Sequence, residues 1–182
     1  MTFNIRTAQL AVPVGPQDHS VGPETAAVTL VEYSDYECPY CGAAEPAIQG
    51  VRRVIEGTLR FVFRNFPLLE AHPHALEAAA AAEAAGLQGK FWLMHDLLFQ
   101  NQQALDEASL LVYGARIGLA IDRFGADMQS VPVLQRIQRD IDGGVRSGVE
   151  GTPTFFVNNL KYEGSWNYES LLEALEDAAR TS

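Results

Sequence analysis

The sequence predicts an α/β domain in which a βαβ half and a C-terminal ββα half flank a large helical insertion. Three stretches predict it: a strand, Cys-x-x-Cys helix and strand run over about residues 27–64, a strand-free span from about 73 to 144, and renewed β character from Thr154. At 182 residues the chain is long enough to bury one such core without disulfide staples. The division expected is an extended N-terminal arm, residues 1–25, and a domain, residues 26–182, with the insertion at about 72–147.

The arm places Pro13, Gly15, Pro16, Gly22 and Pro23 around apolar Leu10, Ala11 and Val12, a pattern of turns with an edge strand. Next, Ala27-Val28-Thr29-Leu30-Val31-Glu32-Tyr33 is nearly unbroken in apolar and β-branched residues, as a central strand covered on both faces requires. Cys38 opens a segment of helical density that runs to about Ile55, with Gly57 as its stop. Leu59, Phe61 and Phe63 share one face of a second strand, because strand side chains alternate. In the insertion, Ala75 to Ala85 reads as an Ala-rich helix, Lys90 to Gln100 as a buried one, and Asp106 caps a third through about Gly118. A short turn around Asp122 to Met128 precedes a last helix whose expected inward face is Leu134, Ile137, Ile141 and Val145. Thr154 to Val157 and Leu160 to Tyr162 form a hairpin across Asn158-Asn159, which can accept positive φ. Asn167 then caps a closing helix with Leu171, Leu172 and Leu175 at helical spacing.

Charge and hydropathy exclude several function classes. A formal charge of −10 without clustered Lys and Arg argues against nucleic acid as a partner. No run approaches the roughly 18–20 apolar residues of a membrane span. The first twenty residues carry Arg6 but no apolar leader core, so the expected compartment is the cytoplasm, or an exported one if the N-terminus was trimmed. The arm is too short for a dimerisation domain, and a monomer is expected.

Only two cysteines are present, Cys38 and Cys41, and a loop that short cannot brace a domain, so their role is chemical or incidental. A redox cysteine needs its thiolate, and a helix N-terminus supplies unpaired N–H groups and the positive end of the helix dipole. Cys38, at or near the N-cap, is therefore the expected nucleophile, exposed at the helix tip. Cys41, one turn on, is the buried resolving thiol. Pro39 stiffens the first turn, where its missing N–H costs nothing.

Tyr33-Ser34-Asp35-Tyr36-Glu37-Cys38-Pro39-Tyr40-Cys41-Gly42 resembles the active-site stretch of DsbA-like members of the thioredoxin superfamily, and Pro46 and Gly151-Thr152-Pro153-Thr154-Phe155 match two further superfamily motifs. The likeness covers about residues 26–178, and the helical insertion is its DsbA-like mark. It implies a thioredoxin-like fold and a thiol-disulfide oxidoreductase. Its partners would be protein or peptide thiols and disulfides, and a redox partner that resets the pair. It implies no cofactor or metal beyond the Cys38-Cys41 disulfide. It also implies a cis Thr152-Pro153 bond, which would turn the Thr152 backbone toward the sulfur to pair with an extended substrate. Pro39, Tyr40, Thr152 and Pro153 are thus the expected substrate contacts. Glu32 matches the family's buried acid and would exchange a proton with Cys41. The strongest oxidants of the family carry His where this chain has Tyr40, and Asp35 and Glu37 flank Cys38, so a weaker oxidant is expected.

Alternatives remain. Cys-Pro-Tyr-Cys is also the glutaredoxin motif, and a glutathione-linked reductase is the nearest rival. The pair could instead hold zinc with His72 and His74, or sit inert in a peptide-binding module. His72 and His74 otherwise read as surface or capping residues, His95 as a core histidine, and Tyr36, Tyr40 and Trp166 as an apolar rim around the sulfur.

Overall fold

In the computed structural model, which describes residues 8–181, the apolar run after the arm becomes the middle strand of a five-stranded sheet. In chain order the elements are β1 (His19–Val21), β2 (Val28–Ser34), α1 (Pro39–Val54), β3 (Leu59–Asn65), α2 (Ala75–Gly86), α3 (Phe91–Gln100), α4 (Glu107–Arg116), α5 (Ile121–Met128), α6 (Val131–Arg146), β4 (Thr154–Val157), β5 (Leu160–Tyr162) and α7 (Tyr168–Arg180). The spatial order is β1-β3-β2-β4-β5, with β2 and β3 parallel and the other neighbours antiparallel. This is the predicted thioredoxin-like arrangement, a βαβ half and a ββα half with α2 to α6 inserted between them.

Strand alternation divides the core. Val28 and Leu30 face one cluster with Ile48 and Val51 of α1, Phe61 and Phe63 of β3, and Leu171 and Leu175 of α7. Val31 and Tyr33 face the other, with Val62, Phe66 and Phe156. Glu32, in phase with Leu30, is thereby carried to the α1 side of the sheet. In α2 the alanines bury nearly all round, and their small side chains let α3, α5 and α6 all pack against this one helix.

The structure corrects two details of the insertion. The segment expected as a turn is an eight-residue helix, α5, held by Phe124 at 0% exposure. Phe124 packs where Gly114 of α4 has no side chain; a Cβ there would lie 2.9 Å from the ring. The inward face of α6 is Val133, Ile137, Asp140, Gly143 and Gly144, whereas Leu134 and Val145 point outward and Ile141 is half-buried. The reason is close approach. A Cβ on Gly144 would stand 2.7 Å from the Phe66 ring and 3.1 Å from Tyr33, so the helix meets the sheet through its glycines rather than through its valine.

The arm lies along the sheet. β1 pairs with β3, while Leu10 N donates to Asn159 O at 2.9 Å and Lys161 N donates to Ala8 O at 2.8 Å. Its first seven residues, including Arg6, lie outside the described residues. The β4–β5 turn has Asn158 and Asn159 at φ 44° and 73°, as that pair was expected to accept. Asp106 and Asn167 cap α4 and α7 through the backbone N–H of Ser109 and Ser170. No described helix is long and apolar enough to cross a membrane.

Candidate active site

β2 ends at Ser34, and the turn that follows sets Cys38. Asp35 O accepts from Cys38 N at 3.1 Å, and Asp35 Oδ1 accepts from Glu37 N at 2.8 Å. Cys38 is the N-cap of α1 with φ −69° and ψ 121°, and Pro39 occupies the first turn. From the insertion, Gln102 Nε2 donates to Tyr36 O and Cys38 O, both at 2.8 Å, and ties the turn down. Gly42 leaves room for this strut, since a Cβ there would fall 2.1 Å from Gln102 Oε1.

Both cysteines are free thiols. The sulfur of Cys38 was expected in the open, yet the residue is only 2% exposed. The Thr152-Pro153 loop covers it: the peptide is cis, and Cys38 Sγ donates to Thr152 O at 3.5 Å. Around this recess Pro39 is exposed, Tyr40 is 66% exposed, and Thr152 and Pro153 are half-buried. Tyr36 does not join the rim. It is buried against Phe63, Phe99 and His95, because the Asp35–Cys38 turn folds its ring inward.

The two thiols are driven apart in acidity. A hydrogen bond from Cys41 lowers the Cys38 thiol from 9.0 to about 5 against the opposing effect of burial, with Thr152 and the backbone N–H groups of Cys41 and Tyr40 adding to the shift. Burial first, and the hydrogen bond to Cys38 second, raise Cys41. Alkylation of the reduced protein by iodoacetamide should therefore follow a single thiolate with a midpoint near pH 5. A midpoint close to 9, the ordinary thiol value, would show that the helix terminus does not activate Cys38.

Asp35 and Glu37 were expected to oppose that thiolate. Both carboxylates are occupied elsewhere: Asp35 Oδ2 accepts from Leu68 N at 2.8 Å and pairs with His72 Nδ1 at 2.7 Å, and Glu37 Oε2 accepts from His74 N at 2.6 Å. Burial lowers the His72 pKa, but the hydrogen bond and charge of Asp35, with the charges of Cys38 and Glu37, together raise it, which favours a cation beside Asp35. His72 is thus the partner of the active-site turn rather than a plain surface residue. Among the described residues, neither it nor His74 gathers with the cysteines into a metal-sized group of ligating atoms.

Glu32 is 0% exposed, and neither carboxylate oxygen has a hydrogen-bond partner. Burial, then the charge of Glu45, raises it from 4.5 to about 8, and its own charge contributes to the rise at Cys41. Glu45 went unremarked in the sequence, although it lies four residues beyond Cys41 and so on the same helix face. Gln102 offered no such signal, being 64 residues from Cys38. His95 is the expected core histidine, with Tyr36 Oη 3.1 Å from its Nδ1.

A family model described as Thioredoxin matches residues 15–177. The chain belongs to the thioredoxin superfamily. Solved structures of DsbA-named proteins share its fold. A thioredoxin-like oxidoreductase from Silicibacter pomeroyi DSS-3 is 29% identical, with a TM-score of 0.82 over 92% of this chain and 95% of that one. BdbD from Bacillus subtilis, at 22% identity and TM-score 0.78, covers 88% of this chain and 92% of its own, and shares the fold. So does alpha-DsbA1 from Wolbachia pipientis, at 18% and 0.81, with 96% of each chain covered. Among curated relatives, Na(+)/H(+) antiporter NhaA 1 of Salinispora arenicola is 49% identical over 170 residues, 93% of this chain and 26% of the relative. Na(+)/H(+) antiporter NhaA of Herminiimonas arsenicoxydans is 42% identical over 172 residues, 94% of this chain and 27% of the relative. The chain thus spans about a quarter of the length of these relatives.

Proposed function

We propose that this DsbA-like protein exchanges disulfides with protein substrates, with Cys38 as nucleophile and Cys41 as resolving thiol. The observation that carries the reading is Cys38 at the N-cap of α1 against the cis Thr152-Pro153 loop with Cys41 buried in the turn behind it, an arrangement that lowers the Cys38 thiol and raises that of Cys41. The Cys38 thiolate attacks one sulfur of a substrate disulfide, forming a Cys38–substrate bond and releasing the other sulfur as thiolate. Glu32 then takes the Cys41 proton, and the Cys41 thiolate attacks Cys38 Sγ. This closes the Cys38-Cys41 disulfide and expels the second substrate thiolate, so the substrate gains two electrons and the cysteines lose two. The same steps reversed oxidise a substrate dithiol, and a redox partner resets the pair.

Pro39, Tyr40, Thr152 and Pro153 surround the sulfur and serve as the substrate contacts, with the Thr152 backbone offered to an extended segment. The protein acts as a monomer with no cofactor beyond its own disulfide. Reduction of insulin by the dithiol protein, with one disulfide cleaved per protein in the absence of other reductant, tests the reading. Failure to cleave insulin while the Cys38-Cys41 disulfide is also inert to a glutathione buffer would leave a non-catalytic module. Turnover sustained by glutathione alone would move the protein to the glutaredoxin-like class.

A further inference from the structure

Where α1 packs against α3, three side chains come together that make or break no bond in disulfide exchange, Glu45 acting there only through its charge on Glu32. Glu45 of α1 and His95 and Asp96 of α3 bring one ligating atom each within 4.8 Å of one another. Two of them are buried and incompletely paired. Glu45 is 6% and His95 0% exposed, and Glu45 Oε2 and His95 Nε2 have no hydrogen-bond partner. Imidazole nitrogen and carboxylate oxygen this deep in a protein are costly to leave unpaired.

The geometry points to a binding site for one divalent cation of the zinc type, held by Glu45, His95 and Asp96. Glu45 Oε1 and His95 Nε2 are 3.8 Å apart, too long for a hydrogen bond. Two ligands on one tetrahedral ion, with bonds of about 2.0–2.2 Å, stand roughly 3.3–3.6 Å apart, so a shift of a few tenths of an ångström seats the ion between them. Outer partners are in place. Gln49 Nε2 donates to Glu45 Oε1 at 3.1 Å, and Tyr36 Oη lies 3.1 Å from His95 Nδ1. With Nδ1–H donating to the Tyr36 oxygen, the Nε2 lone pair is left for the metal, the usual outer-shell arrangement of a metal-bound histidine.

Access and charge agree. Asp96, with Gln49, lines a cavity of about 590 Å³, so an ion would approach from the Asp96 side, where there is room for water in its fourth position. Two carboxylates and an imidazole nitrogen suit a +2 ion. Arg52 lines the same cavity, its guanidinium over the Phe61 and Trp92 rings at 5.1 and 5.3 Å from their centroids, and its charge also acts on Asp96.

The test uses the protein with the Cys38-Cys41 disulfide closed, which removes the thiolates as competing ligands. Calorimetric titration with Zn²⁺ is expected to give one ion per chain. His95→Gln and Asp96→Asn are each expected to weaken binding at least about tenfold, the scale on which even outer partners of a metal site act. Asp96 is half-buried at the cavity and its variant guards against loss of fold at His95. Independently of any variant, anomalous scattering from a Zn²⁺-soaked crystal of the wild-type protein should place the ion among the three side chains. No binding by the wild type, binding unchanged in both variants, or an ion found elsewhere on the chain would overturn the proposal.

Discussion

Replacing Cys38 by serine is expected to reduce disulfide exchange to the uncatalysed background, whereas replacing Cys41 by serine should accumulate a covalent complex with the substrate. The asymmetry follows from the two environments. Cys38 alone is lowered toward the thiolate that attacks, and a serine hydroxyl there has no comparable nucleophilicity. Cys41 is raised by burial and enters only after the mixed disulfide has formed, so its loss blocks release and not capture. Non-reducing electrophoresis and intact mass of the two variants after incubation with a disulfide-bonded protein would read this directly. A complex trapped by Cys38→Ser instead, or wild-type turnover in either variant, would reverse or remove the assigned roles.

Glu32→Gln should slow the resolving step about a hundredfold while leaving formation of the mixed disulfide unchanged, the lower end of what a positioned general base contributes. In the wild type this step should quicken as Glu32 ionises near pH 8, and the variant should lose that rise. The same substitution has a thermodynamic signature. A carboxyl raised to about 8 in the folded chain and near 4.5 in the unfolded one keeps a proton that the unfolded chain gives up. Folding stability therefore declines as pH climbs from 4.5 to 8 and is level beyond, a span on the order of 4–5 kcal/mol for this fully buried group. Urea unfolding should show the variant gaining on the wild type across that window. Parallel stability curves and an unaltered resolving rate would make Glu32 a structural residue only.

Strands and caps were legible because their signals are local. The alternation at Leu59, Phe61 and Phe63 and the cap oxygens of Asp106 and Asn167 act on neighbours within a few residues, and the structure agrees on each. The α6 face was not legible. Hydrophobic periodicity ranks valine above glycine, whereas the approach of Tyr33 and Phe66 requires a surface with no side chain at Gly143 and Gly144. At the site, Cys38, Cys41 and Pro153 were marked by their own motifs. The depth of Cys38 was not, because the loop that covers it comes from 114 residues away. His72 and Gln102 were hidden for the same reason, their partners Asp35 and Tyr36 being 37 and 66 residues distant.

The N-terminal strap also bears on how the protein would keep company with the protein substrates proposed for it. Residues Ala8 to Leu10 engage the outer side of β5, and the opposite border of the sheet is β1, only three residues long. Neither border offers a long template on which a sticky client, or a sister molecule, could add itself and grow into an aggregate. Under the proposed function the backbone at Thr152 is the docking rail left to an extended chain, so an encounter by strand addition would end beside the sulfur instead of in a precipitate.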